Sequence, residues 1–223
     1  MQPIIIFGNS VVAEIMYQFL KDDSRYHVVA FAADKEYIKE EKLFNLNVYD
    51  INTFKNKFDI EQYKVILAIG YGELNCIRER IFNRVKKIGF EIETYIHKDA
   101  KVYTSNKIGE GSIIMPNTII EPFVEIGRNT VIWSNCSVAH HSKVQDNCWI
   151  ATGTVLAGKV VVKNNCFIGV GVTIAYDVTI ENSNVLGAGT MISKNTKQDE
   201  VYLCRNGEKH RFDSKNYANY FLK

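Results

Sequence analysis

A six-residue repeat runs through the central part of the chain and restricts its fold more than any other feature. From Ile96 to Ile192 an aliphatic residue recurs at every sixth position without an insertion. This period fits neither the 3.6-residue period of an α-helix nor a simple array of hairpins. It fits a coil of three short flat strands, about 18 residues per turn, with the aliphatic side chains inside a triangular core. The repeat positions are Ile96, Val102, Ile108, Ile114, Ile120, Ile126, Ile132, Val138, Val144, Ile150, Leu156, Val162, Ile168, Ile174, Ile180, Leu186 and Ile192.

A small side chain usually stands four positions after each aliphatic residue, where the chain must turn a corner. Asn106 and Asn184 are the exceptions. Three of the cysteines, Cys136, Cys148 and Cys166, fall at this position and are predicted to be small buried residues. Because the five cysteines are odd in number and lack C-x-x-C spacing, we expect neither a disulfide framework nor a metal site, and we expect a reducing, cytoplasmic location.

The overall composition is that of an ordinary globular protein. Of the 223 residues, 46% are hydrophobic and 23% are charged, and the formal net charge is +2. This balance gives no reason to expect nucleic acid or a polybasic membrane contact as a partner. The N-terminus lacks the apolar segment of a secretory signal, and no apolar run approaches the roughly 20 residues that span a bilayer.

The first ninety residues show a different pattern, in which apolar runs alternate with amphipathic stretches. This order predicts a small Rossmann-like parallel sheet with helices on its faces. Predicted strands are 4–7, 27–31 and 64–69, and predicted helices cover 12–19 and 75–88, the second ending at Gly89. We therefore expect a domain at 1–90, a β-helix domain at 91–196 and a tail at 197–223.

Ligands of such sheets bind beyond the carboxyl ends of the strands. Gly8 would let a phosphate approach the backbone, and the helix that follows favours an anion at its N-terminus. Because the full G-x-G-x-x-G fingerprint is absent, a redox dinucleotide is not expected, whereas a nucleotide-linked sugar fits. A turn glycine without a ligand is the alternative. The candidate substrate-binding residues at the strand ends are Gly8, Asn9, Ser10, Asp34, Gly70 and Tyr71.

Taken together, the two parts resemble the sugar acyltransferase family of the NeuD-like and PglD-like enzymes. The resemblance implies a left-handed β-helix, a homotrimer, and transfer of an acetyl group from acetyl-CoA to a sugar. It covers about residues 3–203. The segments that carry it are 5–10, 67–71, 95–97, Ala139-His140-His141-Ser142, 166–169 and Leu186-Gly187-Ala188-Gly189.

A histidine pair is the candidate catalytic centre. His140 and His141 stand two and three positions after the aliphatic Val138, at variable places of the repeat, so at least one ring should project outward. The imidazole pKa lies near operating pH, which suits a general base. The resemblance places the family's base on His140, but His141 replaces the acidic residue that follows it in characterised relatives. A surface pair without a role is the alternative.

The resemblance also implies the remaining site residues. Gly158 would present a backbone N–H to the oxyanion, because glycine lets a thioester carbonyl approach closely. The channel for the acetyl-CoA arm would be lined by Ala157, Gly169, Ala175 and Gly187, and for the later coils simple packing at the corners is the alternative. Trp149 stands where some relatives carry a histidine near the acceptor, and Val11-Val12 replaces a Gly-His pair of the nucleotide loop.

The predicted function is acetyl-CoA-dependent N-acetylation of a nucleotide-linked amino sugar, such as a 4-amino-4,6-dideoxy sugar, in lipopolysaccharide or other surface glycan biosynthesis. Two alternatives stay open: an O-acetyltransferase acting on a sugar hydroxyl, and a β-helix scaffold without catalysis. The tail, with Phe212, Tyr217, Tyr220 and Phe221, could cap the solenoid or contact the CoA adenine.

Overall fold

The N-terminal sheet begins with three consecutive isoleucines that are buried on both faces of their strand. A computed structural model describes residues 1–106 and 108–221 of the chain. The sheet has five strands in the order β3-β4-β2-β1-β5, parallel except where β3 and β4 pair antiparallel. The strands are β1 (Gln2–Phe7), β2 (Tyr26–Ala33), β3 (Lys42–Leu43), β4 (Leu46–Asp50) and β5 (Lys64–Leu67).

The helices on this sheet follow the predicted order. They are α1 (Val11–Lys21), the short α2 (Ile51–Phe54) and α3 (Cys76–Ile88). α3 ends at Gly89, which adopts a left-handed φ of 110° as helix-terminating glycines do. In α1, Met16 is buried as expected, but Ala13 and Leu20 complete the buried face. The predicted partners Val12, Ile15 and Phe19 are only partly buried, because they lie where α1 meets the β-helix.

The repeat forms a left-handed parallel β-helix of two-residue strands. Its coils stack into a triangular prism with a seven-stranded, a six-stranded and a four-stranded face. The strands are β6 (Tyr95–Ile96), β7 (Lys101–Val102), β8 (Ile113–Ile114), β9 (Ile119–Ile120), β10 (Glu125–Ile126), β11 (Val131–Ile132), β12 (Ser137–Val138), β13 (Lys143–Val144), β14 (Trp149–Ile150), β15 (Val155–Leu156), β16 (Val161–Val162), β17 (Phe167–Ile168), β18 (Thr173–Ile174), β19 (Thr179–Ile180), β20 (Val185–Leu186), β21 (Met191–Ile192) and β22 (Val201–Tyr202).

The interior of the prism is the predicted one. The aliphatic residue that ends each strand points inward, and from Ile114 to Leu186 these side chains are almost fully buried. The small corner residues join the same core, among them Cys136, Cys148 and Cys166. The burial of these three cysteines is the one that their place in the repeat predicts.

The N-terminal domain covers the seven-stranded face of the prism. Aromatic side chains on this face, including Trp133 and Trp149, pack against α1 and the first sheet. Arg78 of α3 is fully buried between the two parts. Its guanidinium donates to the carbonyls of Leu67 and Ile69 on one side, and to those of Gly111 and Asn129 on the other. Burial lowers the pKa of Arg78 to about 9.

Beyond the prism the chain forms one more helix, α4 (Ser214–Phe221). The tail's His210 ring lies 5.1 Å from the Tyr217 ring and 5.4 Å from the Phe212 ring. None of the helices in the described part of the chain has the length and apolar character needed to cross a bilayer.

Candidate active site

The histidine pair lies on the edge of the prism where the six-stranded face turns into the four-stranded face. β12 ends at Val138, and the turn after it carries His140 and His141, which are both exposed. Each coil is 18 residues long, so that His140, Gly158 and Tyr176 occupy the same turn position in three successive coils. The coil below contributes Glu121 and Phe123 to this edge.

The imidazole of His140 lies directly against Gly158. A Cβ atom on residue 158 would stand 2.7 Å from Cε1 and 2.8 Å from Nε2 of His140. Any side chain at 158 would therefore displace the ring. The carbonyl of Gly158 accepts a hydrogen bond from the Asp177 N–H, whereas the Gly158 N–H finds no acceptor among the described residues. A free backbone donor thus lies next to an imidazole.

His141 contacts His140 through its ring. The two Nδ1 atoms are 3.1 Å apart, and the ring planes are nearly perpendicular at 85°. On its other side His141 packs against Phe123, with ring centroids 4.7 Å apart and ring planes tilted by 32°. His141 has a left-handed φ of 61°, which fixes the direction in which its side chain leaves the turn.

A carboxylate lies beside the pair, although no acidic residue follows His140 in the sequence. The backbone N–H of His140 donates to Oε2 of Glu121 at 2.8 Å. Glu121 and Phe123 are site residues that were not predicted from the sequence. The 18-residue coil was a usable signal, since residues 121–123 lie one coil below 139–141.

The residues expected to line the acetyl-CoA channel fall on two edges of the prism. Ala157 and Ala175 follow strands of the six-stranded face and share the edge of His140. Gly169 and Gly187 follow strands of the seven-stranded face and lie on a different edge. A Cβ atom at Gly169 would stand 2.8 Å from the Ala188 nitrogen, so close stacking of coils alone requires this glycine.

A cavity of about 490 Å³ opens at the carboxyl ends of β1 and β2. Asn9 and Ser10, both predicted, line it, and the Asn9 side chain donates to the Tyr37 carbonyl at 2.7 Å. The two cations Lys39 and Lys42 are features that sequence analysis missed. The lining residues are Asn9, Ser10, Val11, Glu14, Tyr37, Lys39, Glu40, Lys42, Leu43 and Val48.

Three other predicted substrate residues do not line this cavity. Gly8 has a φ of 133°, and a Cβ atom there would stand 2.4 Å from the Ala68 carbonyl oxygen, so the packing of the chain after β5 requires it. Asp34 forms an ion pair with Arg84 of α3. Gly70 has open space where a side chain would be.

Tyr71 and Trp149 come together at the boundary of the two domains. Their ring centroids are 5.2 Å apart, and Tyr71 also lies 4.7 Å from Phe167. Trp149 is buried, whereas Tyr71 is half exposed. Of the predicted substrate residues, Asn9 and Ser10 line the cavity and Tyr71 and Trp149 meet in this aromatic cluster, whereas Gly8, Asp34 and Gly70 belong to neither. Within the described residues, no cluster of three histidine, cysteine or acidic side chains could hold a metal ion.

Comparison with known families identifies the repeat region. The GMPPB C-terminal domain family matches residues 90–202, slightly more than half of the chain. The chain belongs to the GMPPB C-terminal domain family. The match ends at β22 and includes the whole histidine edge, so the candidate active site lies inside the family's domain. No curated protein sequence matches the chain.

Solved structures share the fold of both domains of this family member. The acetyltransferase domain of PglB from Neisseria gonorrhoeae FA1090 superimposes with a TM-score of 0.81 at 20% identity, over 90% of this chain and 96% of that one. A mutant of perosamine N-acetyltransferase from Caulobacter crescentus, in complex with CoA and GDP-perosamine, gives 0.80 at 22% identity, over 89% and 92%. WeeI from Acinetobacter baumannii AYE gives 0.75 at 21% identity, over 91% and 94%.

Proposed function

We propose that the chain is an acetyl-CoA-dependent N-acetyltransferase that acts on a nucleotide-linked amino sugar for surface glycan biosynthesis in the cytoplasm. The observation that carries this proposal is the contact between the His140 imidazole and Gly158, whose N–H has no acceptor in the described part of the chain. A base and an oxyanion donor are the two groups that acyl transfer from a thioester requires. The solved acetyltransferases of the same fold, one with CoA and GDP-perosamine, support this reaction class.

The chemistry assigns one role to each of these two residues. Nε2 of His140 accepts a proton from the attacking amine as its nitrogen bonds to the thioester carbonyl carbon. The Gly158 N–H donates to the carbonyl oxygen while that oxygen carries negative charge. The carbon–sulfur bond then breaks, and His140 returns its proton to the leaving thiolate. Ala157 and Ala175 leave this edge of the prism open to the arm that brings the thioester.

The cavity at the sheet end fits the nucleotide part of the substrate. Lys39 and Lys42 offer positive charge for a diphosphate, and Tyr37 offers a ring on which a base can stack. In this proposal residues 1–90 hold the nucleotide sugar, 91–196 carry out the transfer, and 197–223 cap the solenoid. A 4-amino-4,6-dideoxy sugar is the acceptor we propose first, because its amine is the nucleophile that the site would deprotonate.

The outer side of the six-stranded face supports the proposed homotrimer. At 18-residue spacing its six strands present Lys101, Ile119, Ser137, Val155, Thr173 and Met191. Ile119, Val155 and Met191 are exposed by 38%, 42% and 71%. The four-stranded face presents charged pairs instead, such as Lys143 with Glu125. An apolar face beside the histidine edge favours a neighbouring copy that would close the site as a groove.

The experiment that tests this function is release of CoA from acetyl-CoA in the presence of GDP-, UDP- and dTDP-linked amino sugars. Each amino sugar is paired with its hydroxyl counterpart. We expect turnover on an amino sugar by wild type and a loss of at least about 100-fold in His140→Ala. Turnover only on hydroxyl sugars would replace the proposal with O-acetylation. Absence of turnover, together with no thermal shift by CoA, would leave a scaffold.

A further inference from the structure

We infer that His141 is a positioning residue that holds the His140 imidazole in the tautomer with its proton on Nδ1. This inference rests on the proposed function and deepens it. The two Nδ1 atoms, 3.1 Å apart, are within hydrogen-bonding distance. Two imidazole nitrogens can share only one proton, so one of them donates and the other accepts.

The direction of the bond follows from what His140 must do. A general base needs an unprotonated ring nitrogen, and because Nδ1 of His140 contacts Nδ1 of His141, Nε2 is the nitrogen left for this task; Cε1 and Nε2 are the ring atoms nearest to the place that a side chain of residue 158 would take. The proton of a neutral His140 therefore resides on Nδ1 and is donated to Nδ1 of His141. His141 in turn carries its own proton on Nε2.

The backbone conformation at His141 determines the direction of its side chain. Its left-handed conformation recurs every six residues from position 111 to position 189, where asparagine, glycine and aspartate predominate and Lys159 and Ser183 also occur. The asparagine, glycine and aspartate residues at such corners include Asn117, Asn129, Asn135, Asn147, Gly153, Asn165, Gly171, Asp177 and Gly189. Histidine is one of the residues that adopt this conformation, so the corner accommodates His141 and fixes where its ring leaves the chain.

Phe123 is the residue that contacts His141 from the neighbouring coil. It lies one coil below His141, has a left-handed φ of 65°, and leaves 60% of its surface exposed. A bulky aromatic residue in this conformation is unusual. Its ring packs against His141 with centroids 4.7 Å apart and a tilt of 32°, and this contact restricts the rotation of that imidazole. Phe123 thus restrains His141, and His141 in turn orients the His140 ring from one side.

The negative charge beside the histidine pair comes from Glu121 and not from His141. The Glu121 carboxylate accepts a hydrogen bond from the His140 backbone N–H and so lies beside the backbone of His140, while Nδ1 contacts His141. A single acidic residue after the base could both orient the ring and balance its positive charge. In this chain the two tasks are divided, with His141 setting the tautomer and Glu121 supplying the charge.

The test measures the tautomer directly, by ¹⁵N NMR of the full chain labelled at histidine, with His140→Ala to assign the signals. We expect the Nδ1–H tautomer for His140 in wild type. In His141→Gly, which suits the left-handed corner, we expect that preference to disappear and kcat to fall about 100-fold with little change in KM. His141→Asn, whose Oδ1 can accept from Nδ1, should restore the tautomer and most of kcat. Asn135→Gly is the matched control for glycine at such a corner.

The outcomes separate this inference from the function on which it rests. An Nε2–H tautomer of His140 in wild type, or an unchanged tautomer in His141→Gly, would overturn the positioning role even if the enzyme acetylates an amino sugar. An Nδ1–H tautomer that depends on His141, in a protein that turns over no sugar, would uphold the positioning role and remove the proposed activity. Phe123→Ala gives a second readout, with a smaller fall in kcat expected.

Discussion

Gly158 lies one coil above His140, and the imidazole fits there only because residue 158 has no side chain. Gly158→Ala would place a methyl group inside the present position of the ring. Because the backbone of Gly158 does not need a positive φ, alanine should be tolerated by the fold. We expect kcat/KM to fall by about 100-fold, since a displacement of about 1 Å is enough for such a loss.

The control for this variant is Gly207→Ala, since an added Cβ atom at Gly207 meets nothing within 4 Å. It should leave both activity and the urea midpoint unchanged. If Gly158→Ala retained full activity, His140 would have to act from another position, and the free N–H of Gly158 would lose its assigned role.

The cavity beside β1 and β2 gives a second prediction. Lys42→Ala removes one of the two cations that line it, and we expect the affinity for the nucleotide diphosphate alone to fall by about tenfold. The remaining affinity should depend less on salt, which titration calorimetry at two ionic strengths would measure. Lys21→Ala, at the far end of α1, changes the net charge equally and should change neither value. Equal binding by both variants would place the diphosphate elsewhere.

The exposed apolar residues of the six-stranded face, Ile119, Val155 and Met191, give a prediction on assembly. Val155→Lys puts a charge in the middle of the six-stranded face, where a neighbouring copy would bury it without a partner. We expect light scattering to report a trimer for wild type and a smaller species for the variant. Val161→Lys is the matched control, because it changes the same strand position on the polar four-stranded face. A trimer that survives Val155→Lys would move the interface off this face.

The buried guanidinium of Arg78 predicts a large effect on folding. Arg78→Met would leave four backbone carbonyls from both domains without their donor. We expect the free energy of unfolding to fall by at least about 3 kcal/mol, as orphaned buried acceptors cost about 1–3 kcal/mol each. Arg80→Met, two residues along α3 and exposed, should have little effect on the urea midpoint. Equal stability of the two variants would mean that water reaches these carbonyls.

The sequence predicted those parts of the fold that one repeated rule dictates. An aliphatic residue every sixth position sets the prism, its core and the place of Cys136, and it predicts an outward turn for His140. The hairpin of β3 and β4 was not predicted, since these strands are short and lack a continuous buried run. Contacts between residues one coil apart, such as Glu121 with His140, depend on side-chain conformation, which the repeat does not determine.

At the strand ends, it was harder to predict which residues face a ligand and which find a partner within the protein. Gly8 and Asn9 are neighbours in sequence, yet Gly8 meets the Ala68 carbonyl while Asn9 faces the cavity. Asp34 was expected at the ligand, and its pairing with Arg84 depends on the angle at which α3 crosses the sheet. A pattern of residue types shows which strand ends meet, but it does not show which side chains find a partner within the protein.

Asp23 gives the pH-dependent prediction. Its buried carboxylate accepts two side-chain hydrogen bonds from Arg25, which also donates to the Ile96 carbonyl of the β-helix. The Arg25 hydrogen bonds hold the pKa of Asp23 below its usual value. The folded protein therefore keeps this carboxylate charged at pH values where the unfolded chain already binds a proton. The stability that it contributes is present above about pH 4 and is lost as the pH falls through the lower folded pKa.

We expect Asp23→Asn to be less stable than wild type by about 1–2 kcal/mol at pH 7. The difference should shrink steadily in acid, because protonation of wild-type Asp23 removes the same charge that the variant lacks. Urea unfolding of both proteins at pH 7, 4 and 3 measures it, with the exposed neighbour Asp22→Asn as the control. A difference that stays constant or grows as the pH falls would show that the Arg25 contact does not stabilise the charged carboxylate, and that Asp23 contributes through packing alone.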